Sequence, residues 1–545
     1  MNAVPAQGER SEEASARALR PTIVFLALTI FALTVQRAWM SDDAFISLRC
    51  VDNLVHGYGL TWNTDQRVQA FTNPLWTLLL SVPYSITREA YFTTLLVSLV
   101  VSGLFLVAFV RQRGSDAHGL VLALLALVTS KTFVDYSTSG LENPLTHLLL
   151  CLGYLLFWNG ERDSRDLLRL SLVGACLGLN RLDSLLLFLP ALAVASHDVL
   201  RARGLGPTAR AVLLGFAPLL AWELFALFYY GFPFPNSAYA KLNTEIPTSD
   251  YFLQGIVYFF ASFRWDPATF LVLAFAAVLA STRGRRGDIP ALAGLVLYLL
   301  YVSRIGGDFM AGRFFAAPFV LACLVIARFP FGSLRGVAVP ATVLVALGLA
   351  VPHSPLSVIP GKRTLEERRQ GGGVEDERLL YFARTGLLLA VCERVGPSST
   401  NRQARGLVEE IEPFPESAKP VRAKAVGSLG YYAGPHARII DPLAITDPLL
   451  ARLPGEGYWY PGHFTRTEPA GYFESREAGG NLLADPDLAA YYDRLLLVTS
   501  GELWSWERLR AIVGLNAGSY DHLLRSYAER QADRADQPAQ SEREE

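Results

Sequence analysis

Up to residue 351 the chain is a succession of apolar runs separated by short polar breaks, and beyond it the pattern changes to mixed, mostly polar sequence. Runs suited to crossing about 30 Å of hydrocarbon fall near residues 21–40, 92–110, 118–131, 144–158, 168–180, 184–197, 211–230, 267–281, 289–303, 314–327 and 337–351. They predict a polytopic α-helical membrane domain over residues 21–351 with about eleven transmembrane helices. Several runs fall short of the roughly 20 residues of an ordinary span, so tilted or broken helices are expected. Residues 1–20 and 531–545 are polar and poor in aromatics, and they read as disordered ends. Between them, residues 352–530 have room for one further domain. There VRAKAVGSLGYYAG and ARIIDPLAI alternate as strands do, whereas DLAAYYDRLLLVTSGELWSWERLRAIVG has helical spacing, which predicts an α/β or α+β cap.

Composition agrees with a membrane chain, since 51% of residues are hydrophobic and only 18% charged, against roughly a quarter charged in soluble proteins. Arginine placement then orients it. With the N-terminus cytoplasmic, the inside loops are Arg111 to His118, Asn159 to Arg169, Asp198 to Arg210, Ser281 to Asp288 and Arg328 to Arg335, each with at least two arginines. The opposite loops carry Asp42/Asp43, TSGLENP (138–144), NRLD (180–183), PNSAYAK (235–241) and GGDFMAGR (306–313). All the unusual polar motifs therefore collect on the outer side, together with the C-terminal domain. The first run is not read as a cleaved signal peptide, because no small-residue cleavage site follows it and many spans come after.

The remaining composition mainly excludes. Five cysteines form no disulfide framework or CxxC metal site, and eight histidines show no zinc spacing. A net charge of −1 gives no reason to expect nucleic acid as a partner. No Walker loop or dinucleotide fingerprint is present.

Group transfer outside the cell needs an activated donor that arrives through the membrane, and a polyprenyl-phosphate sugar meets that need. Asp42 and Asp43, adjacent where the first helix surfaces, are the candidate catalytic carboxylates, one of them as general base on an acceptor hydroxyl. Lys241, Arg304, Arg313 and Arg181 are the candidates for holding the departing phosphate. Glu142, Asn236 and Asp308 in the outer loops, with Tyr431, His463 and Arg466 in the cap, are the candidates for binding substrate. Trp459, Tyr460, Trp504 and Trp506 add aromatic faces suited to sugar rings. Arg181 and Asp183 have an alternative as a local ion pair, as do Asp308 and Arg313. Asp441 and Asp447 in DPLAITDP read as turn-forming residues.

DDAFISLRCVDNLVHGYGLTWN with RVQAFTNPLW, TSGLENPLTHLLL, NRLDSLLL, PNSAYAKL, GGDFMAGRFFAAP, GYYAGPHARIIDPLAITDPLLARLP and PGHFTR, in that order, resemble the terminal β-(1→2)-arabinofuranosyltransferase family of actinobacterial cell-wall synthesis, within the GT-C superfamily. The resemblance runs from about residue 22 to about residue 525. It implies a GT-C fold in a bacterial cytoplasmic membrane and transfer of arabinofuranose from a polyprenyl phosphate to an extracytoplasmic glycan. In that family the acidic motif of the first outer loop is catalytic, which corresponds to Asp42 and Asp43. A divalent cation, Mg or Mn, stays open as a partner of the pair. A single base accounts for inversion, whereas the resemblance implies net retention. Two alternatives also stay open: a GT-C transferase for another sugar such as mannose, and a lipid-linked sugar flippase or transporter.

Overall fold

The computed structural model describes residues 7–112, 114–282, 285–357, 372–392, 419–457, 459 and 461–536. By internal contacts the chain forms two units, each entered more than once. The first comprises residues 1–44, 73–220 and 247–403, and the second residues 45–72, 221–246 and 404–545. This division does not follow the 351/352 boundary suggested by hydropathy. The chain after Ala44 and the chain around PNSAYAK pack with the C-terminal sequence.

The first unit is helical. Its central helices, Ala117–Thr129 and Ala316–Arg328, are buried along almost every residue, which is why both read as apolar on all sides. At about 1.5 Å per residue such 13-residue helices are too short to cross the hydrocarbon, and they serve as the unit's core. Among the described residues, four helices are long and apolar enough to span: Arg17–Gln36, Tyr91–Val110, Leu182–Arg203 and Leu205–Tyr229. A fifth would be the bent pair Thr248–Trp265 and Pro267–Thr282, which turns through 109°. The figure of about eleven is therefore not reached by helix length and composition. The protein is nonetheless a multi-pass membrane protein, with Phe25, Ile86, Leu96, Leu224 and Phe260 among the apolar side chains facing outward.

Two local devices shape the unit. At the 109° bend, Asp266 is buried and caps the following helix by accepting from Thr269 N at 3.1 Å; its other oxygen accepts from Thr132 N at 2.8 Å. Pro267 at the first helical position suits the same break. Elsewhere glycine permits backbone contact between helices. A methyl at Gly294 would stand 2.2 Å from the Leu187 carbonyl oxygen, and one at Gly255 2.2 Å from that of Ser303. The helix read upstream of the first apolar run starts at Gln7, inside the stretch expected to be disordered. Likewise the last helix, Asp521–Asp536, runs into the expected tail. Residues 537–545 lie outside the described residues.

In the second unit the expected strands shrink to Val421–Arg422 and Ile439–Ile440, paired in parallel. Its other described residues form helices and loops held by buried side chains rather than by a ladder. Arg49 is buried against Trp62 and donates to the carbonyls of Trp62 at 2.7 Å, Gly430 at 2.5 Å and Ala437 at 2.7 Å. Asp441 accepts from Leu443 N and Thr446 N, and Asp447 from Leu449 N and Leu450 N, so both shape turns as expected.

Helix crossing at glycine is directly testable. Gly294→Ala should lower thermal stability by about 1–3 kcal/mol, the usual range for overpacking. Gly103→Ala should be neutral or slightly stabilising, because its added methyl meets only Phe31 at 3.5 Å and alanine favours helix. Equal melting temperatures for the two variants would contradict the packing described.

Candidate active site

Within the first unit, four polar loops converge around one carboxylate. Glu142 immediately precedes the helix Asn143–Asn159, and its side chain is completely buried. Its Oε1 accepts from Arg181 Nη1 at 2.9 Å and Arg313 Nη2 at 3.2 Å, while Oε2 accepts from Asn73 Nδ2 at 2.7 Å. Asn180 donates to the Glu142 carbonyl at 3.0 Å. Burial pushes the Glu142 carboxyl up, but Arg313 and Arg181 outweigh it and hold the group low, at about 2. It is an anion held by three side-chain hydrogen bonds.

The two arginines tie this anion to the others. Arg181 forks onto Asp183 at 2.9 and 2.5 Å. Arg313 approaches Asp308 at 3.5 Å and Asp43 at 4.0 Å. Two guanidiniums thus serve four carboxylates, and the cluster carries excess negative charge.

The Asp42/Asp43 turn is pressed into place from below. Ser41 N donates to Ser139 O at 2.9 Å, and Asp43 N to Ser41 Oγ at 3.2 Å. Gly140 has φ +79°, and a methyl there would stand 2.7 Å from Ala44 Cβ. The SGLENP loop therefore needs glycine to seat against the start of the helix Ala44–Val55. Asp43 remains 33% exposed, whereas Glu142, Asp308, Arg313 and Arg181 are at most 16% exposed. It is the accessible carboxylate of this group.

The segment after the last long helix completes the surroundings. Met310 and Glu375 form a parallel bridge, with Ala311 N donating to Glu375 O at 2.8 Å and Glu375 N to Phe309 O at 2.7 Å. Asp376 then caps the helix Glu377–Thr385 and pairs with Lys131 at 2.9 Å; Lys131 also pairs with Asp135. At the helix's far end Thr385 Oγ1 donates to Met40 O at 2.8 Å, and Leu387 N to Ala38 O at 2.9 Å. This strap carries a buried carboxyl, Glu377. Burial raises its pKa well above the carboxylate range, and Asp43, Asp42, Glu375 and Asp308 add to the effect. Tyr381 is raised by burial and then by Asp42, Glu377 and Asp43.

The sequence-derived candidates divide between the units. Asp42, Asp43, Glu142, Asp308, Arg181 and Arg313 come together in the first unit. Arg304 also belongs there, exposed at the end of the helix Ile289–Arg304, and no ion pair joins it to the cluster among the described residues. Lys241, Asn236, Tyr431, His463 and Arg466 belong to the second unit. There Asn236 donates to the carbonyls of Ala444 and Asp447, both at 2.9 Å. Arg466 is buried and donates to the carbonyls of Leu453, Phe464 and Ala240. Both residues hold loops together. Tyr431 packs its ring on Phe45 and Tyr432, and His463 Nδ1 lies 3.3 Å from Pro461 O. Tyr460 lies outside the described residues. No group of three or more His, Cys, Asp or Glu side chains among the described residues is arranged to hold a metal ion. Sequence reasoning missed Asn73, Lys131 and Glu377. VEDERLLYFART reads as an ordinary capped surface helix, and nothing in it signals burial.

No protein-family model matches the chain. A Mycobacterium tuberculosis protein is 28% identical over 514 aligned residues, covering 76% of this chain and 79% of that protein. It is named terminal β-(1→2)-arabinofuranosyltransferase. A Corynebacterium glutamicum protein of the same name is 26% identical over 332 residues, covering 54% of this chain and 48% of that protein. The relatives are glycosyltransferases. The resemblance read from the motifs is thereby borne out, and with it the enzyme class. Among solved structures, the Archaeoglobus fulgidus oligosaccharyltransferase shares 13% identity with a TM-score of 0.39, over 78% of this chain and 62% of that one. That likeness is too loose to bear on the site.

The charge cluster makes two predictions about stability. Glu142→Gln removes the anion that Arg181 and Arg313 share, leaving Arg181 on Asp183 and Arg313 only its longer approaches to Asp308 and Asp43. It should cost up to about 3–5 kcal/mol, the range for breaking a buried pair, seen as a lower melting temperature in detergent. Glu377 has the opposite sign. In the unfolded chain it ionises near 4.5, while in the folded chain it keeps its proton to higher pH, so stability falls as pH rises above 4.5. Glu377→Gln removes that fall. Its melting temperature relative to the natural chain should rise steadily from pH 5 to pH 8, and a difference that does not vary with pH would refute the assignment.

Proposed function

We propose that this chain is a membrane glycosyltransferase that moves arabinofuranose from a polyprenyl-phosphate donor to an extracytoplasmic glycan acceptor. The reading rests on the two named relatives and, within the site, on one observation. Asp43 is the exposed member of a buried charge cluster, 33% open and 4.0 Å from a guanidinium that is itself anchored to Glu142.

That arrangement suits group transfer. Asp43, partly open to solvent, accepts a proton from an acceptor hydroxyl as the sugar–oxygen bond forms, and Asp42 beside it adds negative potential where positive charge develops on the sugar ring. Glu142 fixes the orientation of Arg313, so the guanidinium need not reorganise during the reaction. Its 4.0 Å approach to Asp43 is loose enough for a phosphate oxygen to take over one nitrogen, at which point Arg313 meets the leaving group. Arg181, already bidentate on Asp183, acts in this scheme as the second anchor of Glu142. Arg304, exposed in the same unit, supplies further positive charge for the donor phosphate. The site and the second unit face the extracytoplasmic side in this reading, as the arginine-bearing loops require.

The test uses the purified chain in lipid nanodiscs with labelled polyprenyl-phosphate arabinofuranose and an arabinan oligosaccharide. The natural chain should form labelled product, and Asp43→Asn should reduce the rate by about 10²–10⁴-fold, the usual contribution of a positioned base. Transfer by Asp43→Asn within a few-fold of the natural chain would remove Asp43 from the chemistry. Product from the mannose donor in place of the arabinose donor would overturn the sugar assignment, and donor translocation without product would favour a flippase.

A further inference from the structure

The second unit contains two tryptophans that its own core leaves uncovered. Trp504 is 82% exposed and Trp506 75% exposed, whereas a solvent-facing surface ordinarily carries few such side chains. Their position relative to the helix Leu205–Tyr229 accounts for them. That helix has 25 residues and a mean hydropathy of 2.0 over its most apolar window. At about 1.5 Å per residue it is longer than the roughly 30 Å of hydrocarbon, so a turn of it has room to reach into the headgroup layer.

The C-terminal sequence is fastened to that last turn. Arg508 is fully buried and donates through Nη2 to the carbonyls of Phe228 at 2.7 Å and Tyr229 at 2.9 Å, satisfying the open end of the helix. Asn516 donates to Gly231 O at 2.8 Å just beyond it. Trp504 lies against Phe228 with ring centroids 4.7 Å apart. The helix Trp506–Asn516 buries Arg508, Ala511 and Ile512, which leaves Trp506, Arg510 and Val513 on its exposed face. A tryptophan, a cation and an aliphatic residue along one exposed helical stripe suit a layer that is apolar on one side and phosphate-rich on the other. Glu502 and Glu507 are the exposed acids nearby. The apolar flank of the span, with Leu220, Leu224 and Phe225 exposed, continues into this patch.

We infer that Trp504, Trp506 and the exposed face of the helix Trp506–Asn516 rest in the lipid headgroup layer and anchor the second unit to the bilayer. The tryptophans are then membrane-interface residues rather than a sugar-binding platform.

Emission quenching separates these two occupants. The full chain and its Trp504→Phe, Trp506→Phe and double variants are placed in nanodiscs whose lipids are brominated near the glycerol end of the acyl chain. Phenylalanine keeps the packing on Phe228, and Trp→Tyr variants serve as a second set should either phenylalanine variant fail to elute as the natural chain does. The emission lost in the double variant, two of the chain's nine tryptophans, is expected to be at least threefold more quenched by the brominated lipid than by aqueous iodide. It is also expected not to change when arabinan oligosaccharide is added. Emission quenched mainly by iodide, or shielded from iodide by the oligosaccharide, would overturn the proposal and return the two residues to glycan binding. Because no transfer reaction is measured, the result stands apart from the fate of the proposed function.

Discussion

A carboxylate buried inside an apolar helical unit must be neutralised where it stands, and Glu142 does this by drawing in two arginines from distant loops. The organisation of the polar face follows from that demand. Arg181 arrives from the end of the helix Ser164–Asn180, Arg313 from the GGDFMAGR loop and Asn73 from the start of the helix Pro74–Thr87. Once these groups are committed to Glu142, the carboxylates that lean on the same arginines have fixed positions too. Asp183 takes one side of Arg181, and Asp308 and Asp43 share the outward nitrogen of Arg313. A helical bundle with polar ends becomes a site because one anion leaves its partners no other arrangement.

The strap at Glu377 works against stability rather than for it. A carboxyl buried beside Asp42, Asp43, Asp308 and Glu375 would be replaced readily by an apolar or amide side chain if packing were the only requirement. Its confinement is enforced from both ends, by Lys131 on Asp376 and by Thr385 on Met40. Unfavourable charge held in place by strong contacts at its margins is the usual physical mark of a functional region.

Much of this was legible in the sequence, and the reason is local. Asp42/Asp43, TSGLENP, NRLD and GGDFMAGR each combine a charge with glycine or proline at the edge of an apolar run, where a charge is costly and a turn is required. The expected topology grouped five motifs on one side; the structure brings these four together in the first unit, while the fifth, PNSAYAK, belongs to the second. What stayed hidden depends on long-range packing. Lys131 sits in an apolar context but pairs with a residue beyond the last long helix, and Glu377 lies in a charged stretch that looks like surface. Burial also hides the use of Arg466, which donates to the carbonyls of Leu453, Phe464 and Ala240 in its own unit. The apolar runs at 118–131 and 314–327 were read as spans because a fully buried helix and a lipid-facing one share the same composition; only their length sets them apart.

The contacts between Met40 and Thr385 join residues 345 positions apart. They have a consequence for how the protein is made. The turn bearing Asp42 and Asp43 leaves the ribosome early, with the first helix, yet its supports at Ala38 and Met40 are provided by Leu387 and Thr385. Throughout synthesis and insertion of the intervening helices, that turn waits without its finished neighbours. The supports of that turn are therefore completed only once residue 387 has been made, and a chain cut short before it would carry the carboxylates without these contacts.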